Sequence, residues 1–286
     1  MQRAVLALAC AAAAVLSACE QPGDADAAEA LRSVNVIDET NLNELMLTSG
    51  SPEEAITYFR GASAENPDRI DLRRGLAHSL IRGGKSGEGA RAWAEVVAMP
   101  DATNEDRVSH ADALIRSGDW TGAKAQLDTI PPTYETYRRY RLEAMVADSN
   151  KDWKKADSFY ETAAGLTTTP SGIYNNWGFS KLSRGDFREA ERLFSEALKY
   201  DPSLFTAKNN LVLARASQRN YDLPVVPMSQ QERAQLLYTL ALGAIKQGDV
   251  SIGRGLLRQA IDTSPQHFDA AVRSLEALEA GVSTAG

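Results

Sequence analysis

The sequence predicts an all-α solenoid of paired antiparallel helices. Three observations predict it. A hydrophobic pattern returns about every 34 residues, small residues and aromatics stand at fixed steps inside each period, and a helical apolar stretch follows the last period and can cover its open face. The fullest unit is residues 171–204, with Tyr174, Trp177, Gly178, Leu182, Gly185, Phe187, Ala190, Phe194, Ala197 and Pro202. Gly178 and Ala190 are small where the two helices of a unit cross closely. Gly185 suits the left-handed residue that ends the first helix. Phe194 and Ala197 lie one turn apart on the second helix and face the next unit. Asp201-Pro202 closes that helix.

Equivalent residues mark the other units. Residues 36–69 carry Leu42, Gly50, Ala55, Phe59, Ala62 and Pro67, and residues 70–103 carry Ala77, Leu80, Gly84, Gly89 and Trp93. Residues 104–136 carry Ala111, Leu114, Gly118, Trp120, Ala123 and Leu127, and residues 137–170 carry Ala144, Trp153, Ala156, Tyr160 and Ala163. Residues 234–267 carry Leu240, Ala241, Gly248, Leu257, Ala260 and Pro265. Between the last two units, residues 205–219 make one helix (Ala207, Leu211, Leu213, Ala214), but its partner is replaced by Asp222-Leu223-Pro224-Val225-Val226-Pro227-Met228. Two prolines three residues apart exclude a helix there, so 220–233 reads as an extended strap and the unit as a half repeat. Phe268, Ala271, Val272, Leu275 and Leu278 then keep helical period, which makes 234–280 a last repeat plus capping helix and leaves 281–286 as a disordered tail.

At every signature step this pattern resembles the tetratricopeptide repeat, a 34-residue helix pair. The resemblance implies a right-handed superhelix of about six repeats, with the array over 36–219, and a concave groove lined by the first (A) helices. The aromatics Trp93, Trp120, Trp153 and Phe187 then fall at repeat-packing positions and are expected in the core.

The N-terminus reads as an address. Arg3 is followed by an apolar run from Ala4 to Val15, shorter than the ~20 residues that span a bilayer. Leu16-Ser17-Ala18-Cys19 resembles the bacterial lipobox. That resemblance implies removal of residues 1–18, acylation of Cys19, and a lipid-anchored flexible tether over 19–35. The other reading is a secreted protein cut at a small-residue site, with Cys19 incidental. Glu20 rather than Asp after the cysteine favours an outer-membrane lipoprotein facing the periplasm.

Composition narrows the function. Lys+Arg is 31 against Asp+Glu 38, a net charge of −7, which argues against a nucleic-acid partner. Three histidines and two cysteines are too few for most metal sites, and Cys10 lies in the removed segment. Gly83-Gly84-Lys85-Ser86 imitates the end of a phosphate loop, but position 79 is Ser79 where that motif needs glycine. No H-E-x-x-H or G-x-S-x-G occurs. The expectation is a non-enzymatic protein with no cofactor, no metal and no small-molecule substrate.

The repeat resemblance places candidate groove residues at Arg74, His78, Arg82, Asp112, Arg116, Arg138, Arg141, Asn175, Asn176, Phe179, Asn209, Asn210 and Tyr238. Met145 and Leu213 fall on the same face. The arginines form a basic stripe in an acidic chain. They are read either as forks for carboxylates of a partner or as ion pairs with neighbouring Asp and Glu. Asn175-Asn176 and Asn209-Asn210 stand 34 residues apart and stack. Their amides are read either as a ladder that grips a peptide backbone or as bonds between repeats.

A lipobox, a tether, about six repeats and a cap together resemble the tetratricopeptide lipoproteins of tight-adherence (Tad/Flp) pilus systems, the TadD family. The residues that carry this are Asn209-Asn210-Leu211, Arg219-Asn220-Tyr221 through Met228, Gln247-Gly248-Asp249 and Pro265-Gln266-His267-Phe268. The resemblance implies a pilotin-like factor that binds the pilus secretin and helps it assemble in the outer membrane. Two other roles remain open on the sequence: an adaptor for peptidoglycan hydrolases, and a structural subunit of an outer-membrane export complex.

Overall fold

The structure, a computed structural model, describes residues 42–284. The signal segment 1–18, Cys19, the tether 19–35 and positions 36–41 lie outside the described residues. The described residues form helices and connecting turns, with no strand among them. The chain divides into two compact units, Met1–Ala102 and Thr103–Gly286.

The first unit holds α1 (42–48), α2 (Pro52–Glu65), α3 (Ile70–Arg82) and α4 (Ser86–Val97). Its core joins Ala55 and Phe59 of α2 to Leu72 of α3. Ser51 and Glu54 form a reciprocal capping box that starts α2, with Pro52 at its first turn. Gly83-Gly84-Lys85 is the turn between α3 and α4, with Gly84 in the left-handed region at φ +73°.

The second unit runs α5 (Asn104–Arg116), α6 (Trp120–Asp128), α7 (Tyr137–Ser149), α8 (Trp153–Gly165), α9 (Ser171–Ser183), α10 (Phe187–Tyr200), α11 (Phe205–Ser217), α12 (Gln230–Lys246), α13 (Val250–Thr263) and α14 (Asp269–Thr284). Helices next to each other in sequence pack together, as α7 with α8, α9 with α10 and α12 with α13. Phe194 and Ala197 of α10 are buried in one cluster with Ala207, Leu211 and Ala214 of α11, the packing between repeats that their spacing predicts. The residue that ends each A helix is left-handed at Gly118, Gly185 and Gly248; Lys151 (φ +61°) and Arg219 (φ +59°) hold the same place without being glycine.

After α11 the chain is extended, and it packs on its own unit. Tyr221, Leu223 and Met228 lie against the core of α12 and α13, and Val226 lies against that of α10 and α11. The Nζ of Lys208, a residue only 2% exposed, donates to the Pro227 carbonyl at 2.7 Å and to Glu232 at 2.9 Å. The strap is shorter than the sequence suggests. It ends at Ser229, because Ser229 and Glu232 form a capping box that starts α12 at Gln230 rather than at 234. At the other end α14 continues to Thr284, so residues 281–284, read from sequence as tail, are helical. Ala271 of α14 is buried with Leu240, Leu257 and Ala260, which closes the array.

Candidate functional site

In the first unit Arg74, His78 and Arg82 follow one another at i,i+4 along α3 and share a face. They serve the chain itself. Arg82 donates to the carbonyls of Met46 (3.0 Å), Leu47 (2.5 Å) and Gly50 (2.8 Å), which are orphan acceptors at the end of α1. Arg74 donates to the Asp101 carbonyl at 3.4 Å. The His78 ring sets an edge against buried Trp93, with centroids 4.9 Å apart.

The basic residues of the second unit are paired as well. Arg116 meets Asp112 at 2.8 Å and Arg141 meets the same carboxylate at 3.7 Å. Arg138 forms a close ion pair with Glu105, whose other oxygen accepts from the Tyr134 hydroxyl at 2.8 Å. Burial, with Arg141 nearby, holds the Arg138 guanidinium below its ordinary value. Of the two readings of the stripe, the geometry therefore favours ion pairs within the chain. Tyr238 is also engaged: its hydroxyl lies 3.3 Å from Ser274 and its ring 5.3 Å from Phe268, so the C-terminal helix covers it.

The remaining five candidates converge. Asn175, Asn176 and Phe179 of α9 and Asn209 and Asn210 of α11 line one cavity of about 550 Å³, with Met145 of α7 beside them. The Asn210 Nδ2 donates to Asn175 Oδ1 at 3.1 Å, a bond from one repeat to the next. Thr239 of α12 donates to Asn209 Oδ1 at 2.8 Å. The Asn176 amide nitrogen lies 3.7 Å from the Met145 sulfur. These bonds leave Asn175 Nδ2, Asn209 Nδ2, Asn176 Oδ1 and Asn210 Oδ1 without a partner among the described residues. Two donors and two acceptors on the wall of an apolar cavity are what an extended backbone needs. Of the two readings of the asparagines, the bonds between repeats are therefore present, and each amide keeps a second polar end unused among the described residues.

Sequence reasoning missed the rest of the wall. Trp120 and Trp153 are not core: Trp120 is 38% exposed, Trp153 is half-buried, and both line the cavity with Phe205. Each opens a second (B) helix directly after an aspartate, Asp119-Trp120 and Asp152-Trp153, a doublet one period apart that could have flagged them. Asp148 carried no signal. Its carboxylate accepts from Ser180 Oγ at 2.7 Å and from the Tyr160 hydroxyl at 3.0 Å. Burial raises its pKa, the charge of Asp157 adds to the shift, and the two hydrogen bonds and Arg184 oppose it. Tyr160 in turn is pushed up, by burial first and then by Asp148. No group of three or more His, Cys, Asp and Glu suited to a metal occurs among the described residues. No helix among them is long and apolar enough to cross a membrane.

Fold and cavity together define a helical-repeat scaffold with a ligand-sized groove. Residues 176–223, from α9 into the strap, match the family model of the tetratricopeptide repeat. Solved structures agree on the fold. A chain of the APC/C hetero-tetramer Cut9–Hcn1 superposes with a TM-score of 0.59 at 14% identity, over 82% of this chain and 48% of that one. A tetratricopeptide repeat protein from Parabacteroides merdae gives 0.55 at 11% identity, over 84% and 96%. A thermophilic protein of the same repeat class from Thermus thermophilus gives 0.53 at 18% identity, over 61% and 95%. The chain spans about half the length of the first of these. No curated protein matches the chain. Residues 176–223 thus match the tetratricopeptide repeat, and the chain shares the fold of solved helical-repeat proteins.

Proposed function

We propose that this protein is a non-catalytic scaffold that binds an extended peptide segment of a partner protein in the groove of α7, α9 and α11. The observation that carries this reading is the cavity wall at Asn175, Asn176, Asn209 and Asn210, where amide groups remain free beside exposed aromatic rings. The lipobox at Leu16–Cys19 supports acylation of Cys19 and an outer-membrane address facing the periplasm. The likeness to Tad-system lipoproteins supports the partner: the pilus secretin, which the scaffold would hold at the membrane where it assembles. Tethering raises the local concentration of scaffold and partner, so a micromolar peptide affinity suffices.

The test is capture of the partner from gently solubilised membranes with a C-terminally tagged protein, followed by mass spectrometry. A secretin recovered with pilus-assembly proteins, and lost from the Asn176→Ala/Asn210→Ala variant, supports the reading. Recovery of cell-wall hydrolases, or of this protein alone as a defined ring, overturns the secretin assignment. Cys19→Ala should release the folded protein from the membrane; normal secretin assembly by that variant at native abundance would remove the anchor from the mechanism.

A further inference from the structure

Holding a peptide backbone needs amides, not a carboxylate, and Asp148 is the one carboxylate among the described residues of the cavity wall. Its surroundings differ from those of its neighbours. Asp112, Asp157, Glu191 and Glu232 each meet an Arg or Lys of the chain: Arg116 at 2.8 Å, Lys181 at 3.0 Å, Arg215 at 2.9 Å and Lys208 at 2.9 Å. Asp148 has no ion pair among the described residues; its partners are two neutral hydroxyls, of Ser180 and Tyr160. The nearby Arg184 is engaged by Asp157 and lies over the Trp153 ring, 5.2 Å from its centroid.

A purely structural strut would not require this charge. An asparagine could bond both hydroxyls, one as donor and one as acceptor, with less desolvation. The charge is placed instead where a cation could reach it. Each Asp148 oxygen has accepted one hydrogen bond and keeps further acceptor capacity. Trp120, Trp153 and Phe179 line the same cavity with aromatic surface, which attracts cations and shelters an alkyl stem. With one oxygen held toward α8 and the other toward α9, a compact ammonium that needs a single lone pair fits better than a planar guanidinium fork.

We propose that the cavity binds a lysine side chain of the partner, with its stem along the aromatic rings and its ammonium on Asp148. This rests on the peptide-binding reading of the groove and names the side chain that the groove selects.

The test uses two synthetic peptides, acetyl-Gly-Leu-Lys-Leu-Gly-amide and the same peptide with norleucine for lysine. Each is titrated into the full-length protein to about 10 mM, a range set by the weak affinity of short ligands, with tryptophan fluorescence and NMR shifts as readouts. The lysine peptide is expected to bind about tenfold more tightly. In Asp148→Asn that preference should vanish while norleucine-peptide binding and the melting temperature hold. Phe179→Ala, at a residue 56% exposed and so tolerant of change, should reduce the preference without unfolding the protein. Equal binding of the two peptides, no binding of the lysine peptide, or a preference that survives Asp148→Asn would each overturn the lysine assignment. The peptide-groove reading is judged separately, by whether Asn176→Ala/Asn210→Ala loses the captured partner.

Discussion

Gly178 has no side chain because Phe194 fills the space one would need: a Cβ there would lie 2.7 Å from the Phe194 ring, which is fully buried. The ring cannot swing into solvent, so Gly178→Ala should lower stability by about 1–2 kcal/mol, overpacking outweighing the gain in helix propensity. Thermal melts of the two proteins would show it, and an unchanged Tm would mean that α9 and α10 can part at no cost. Asp148 tests the opposite sign. Its pKa is raised in the folded state, so the fold holds that proton more tightly than the unfolded chain does. The group therefore favours folding only at acid pH, and that contribution is lost as pH rises from the ordinary aspartate range through the raised value. Asp148→Asn should accordingly melt no lower than the parent protein at pH 7. Any advantage it has should shrink toward pH 4, as the native carboxyl takes up its proton. A variant markedly less stable at pH 7 would show that the charge is a structural necessity.

The strap shows what an element's sequence does and does not reveal. Pro224 and Pro227 exclude a helix, and that was legible because proline acts locally. The path of the strap was not legible, because it depends on Lys208, which reads in sequence as one more surface charge on an A helix. In the structure its ammonium is buried on Pro227 and Glu232. Lys208→Met keeps the apolar stem and removes both bonds. It should cost about 2 kcal/mol, since two hydrogen bonds from a charged group are lost. It should also make the Tyr221–Met228 segment the first site cut in limited proteolysis. Resistance equal to the parent's would mean that Tyr221, bonded to Asp249 at 2.5 Å, and the packing of Leu223 hold the strap unaided. The cavity divides along similar lines. The asparagines were legible because a 34-residue step stacks them. Trp120 and Trp153 were not, because an aromatic at the start of a B helix packs or stays exposed according to what neighbouring helices leave uncovered. The Asp-Trp doublet marks the two positions but not whether their rings are covered.

Within each unit, helices pack on their sequence neighbours, so a repeat relies on the next one to cover its apolar face. The half repeat at α11 is covered by the strap and α12, and the final pair by α14. Ala271 is fully buried against α12 and α13, with Phe268, Leu275 and Leu278 partly buried around it. Deleting residues 269–286 would expose Leu240, Leu257 and Ala260, all now shielded from water. The apolar area uncovered is worth several kcal/mol at about 25 cal/mol per Å². The truncated protein should therefore melt well below the parent and self-associate through α12 and α13, which gel filtration over a concentration series would detect. A double substitution, Ala271→Asp with Leu275→Asp, should produce the same two effects with the chain length intact, separating loss of the apolar seal from loss of the residues themselves. A monomeric truncation with the parent's Tm would show that α13 is a sufficient end to the array.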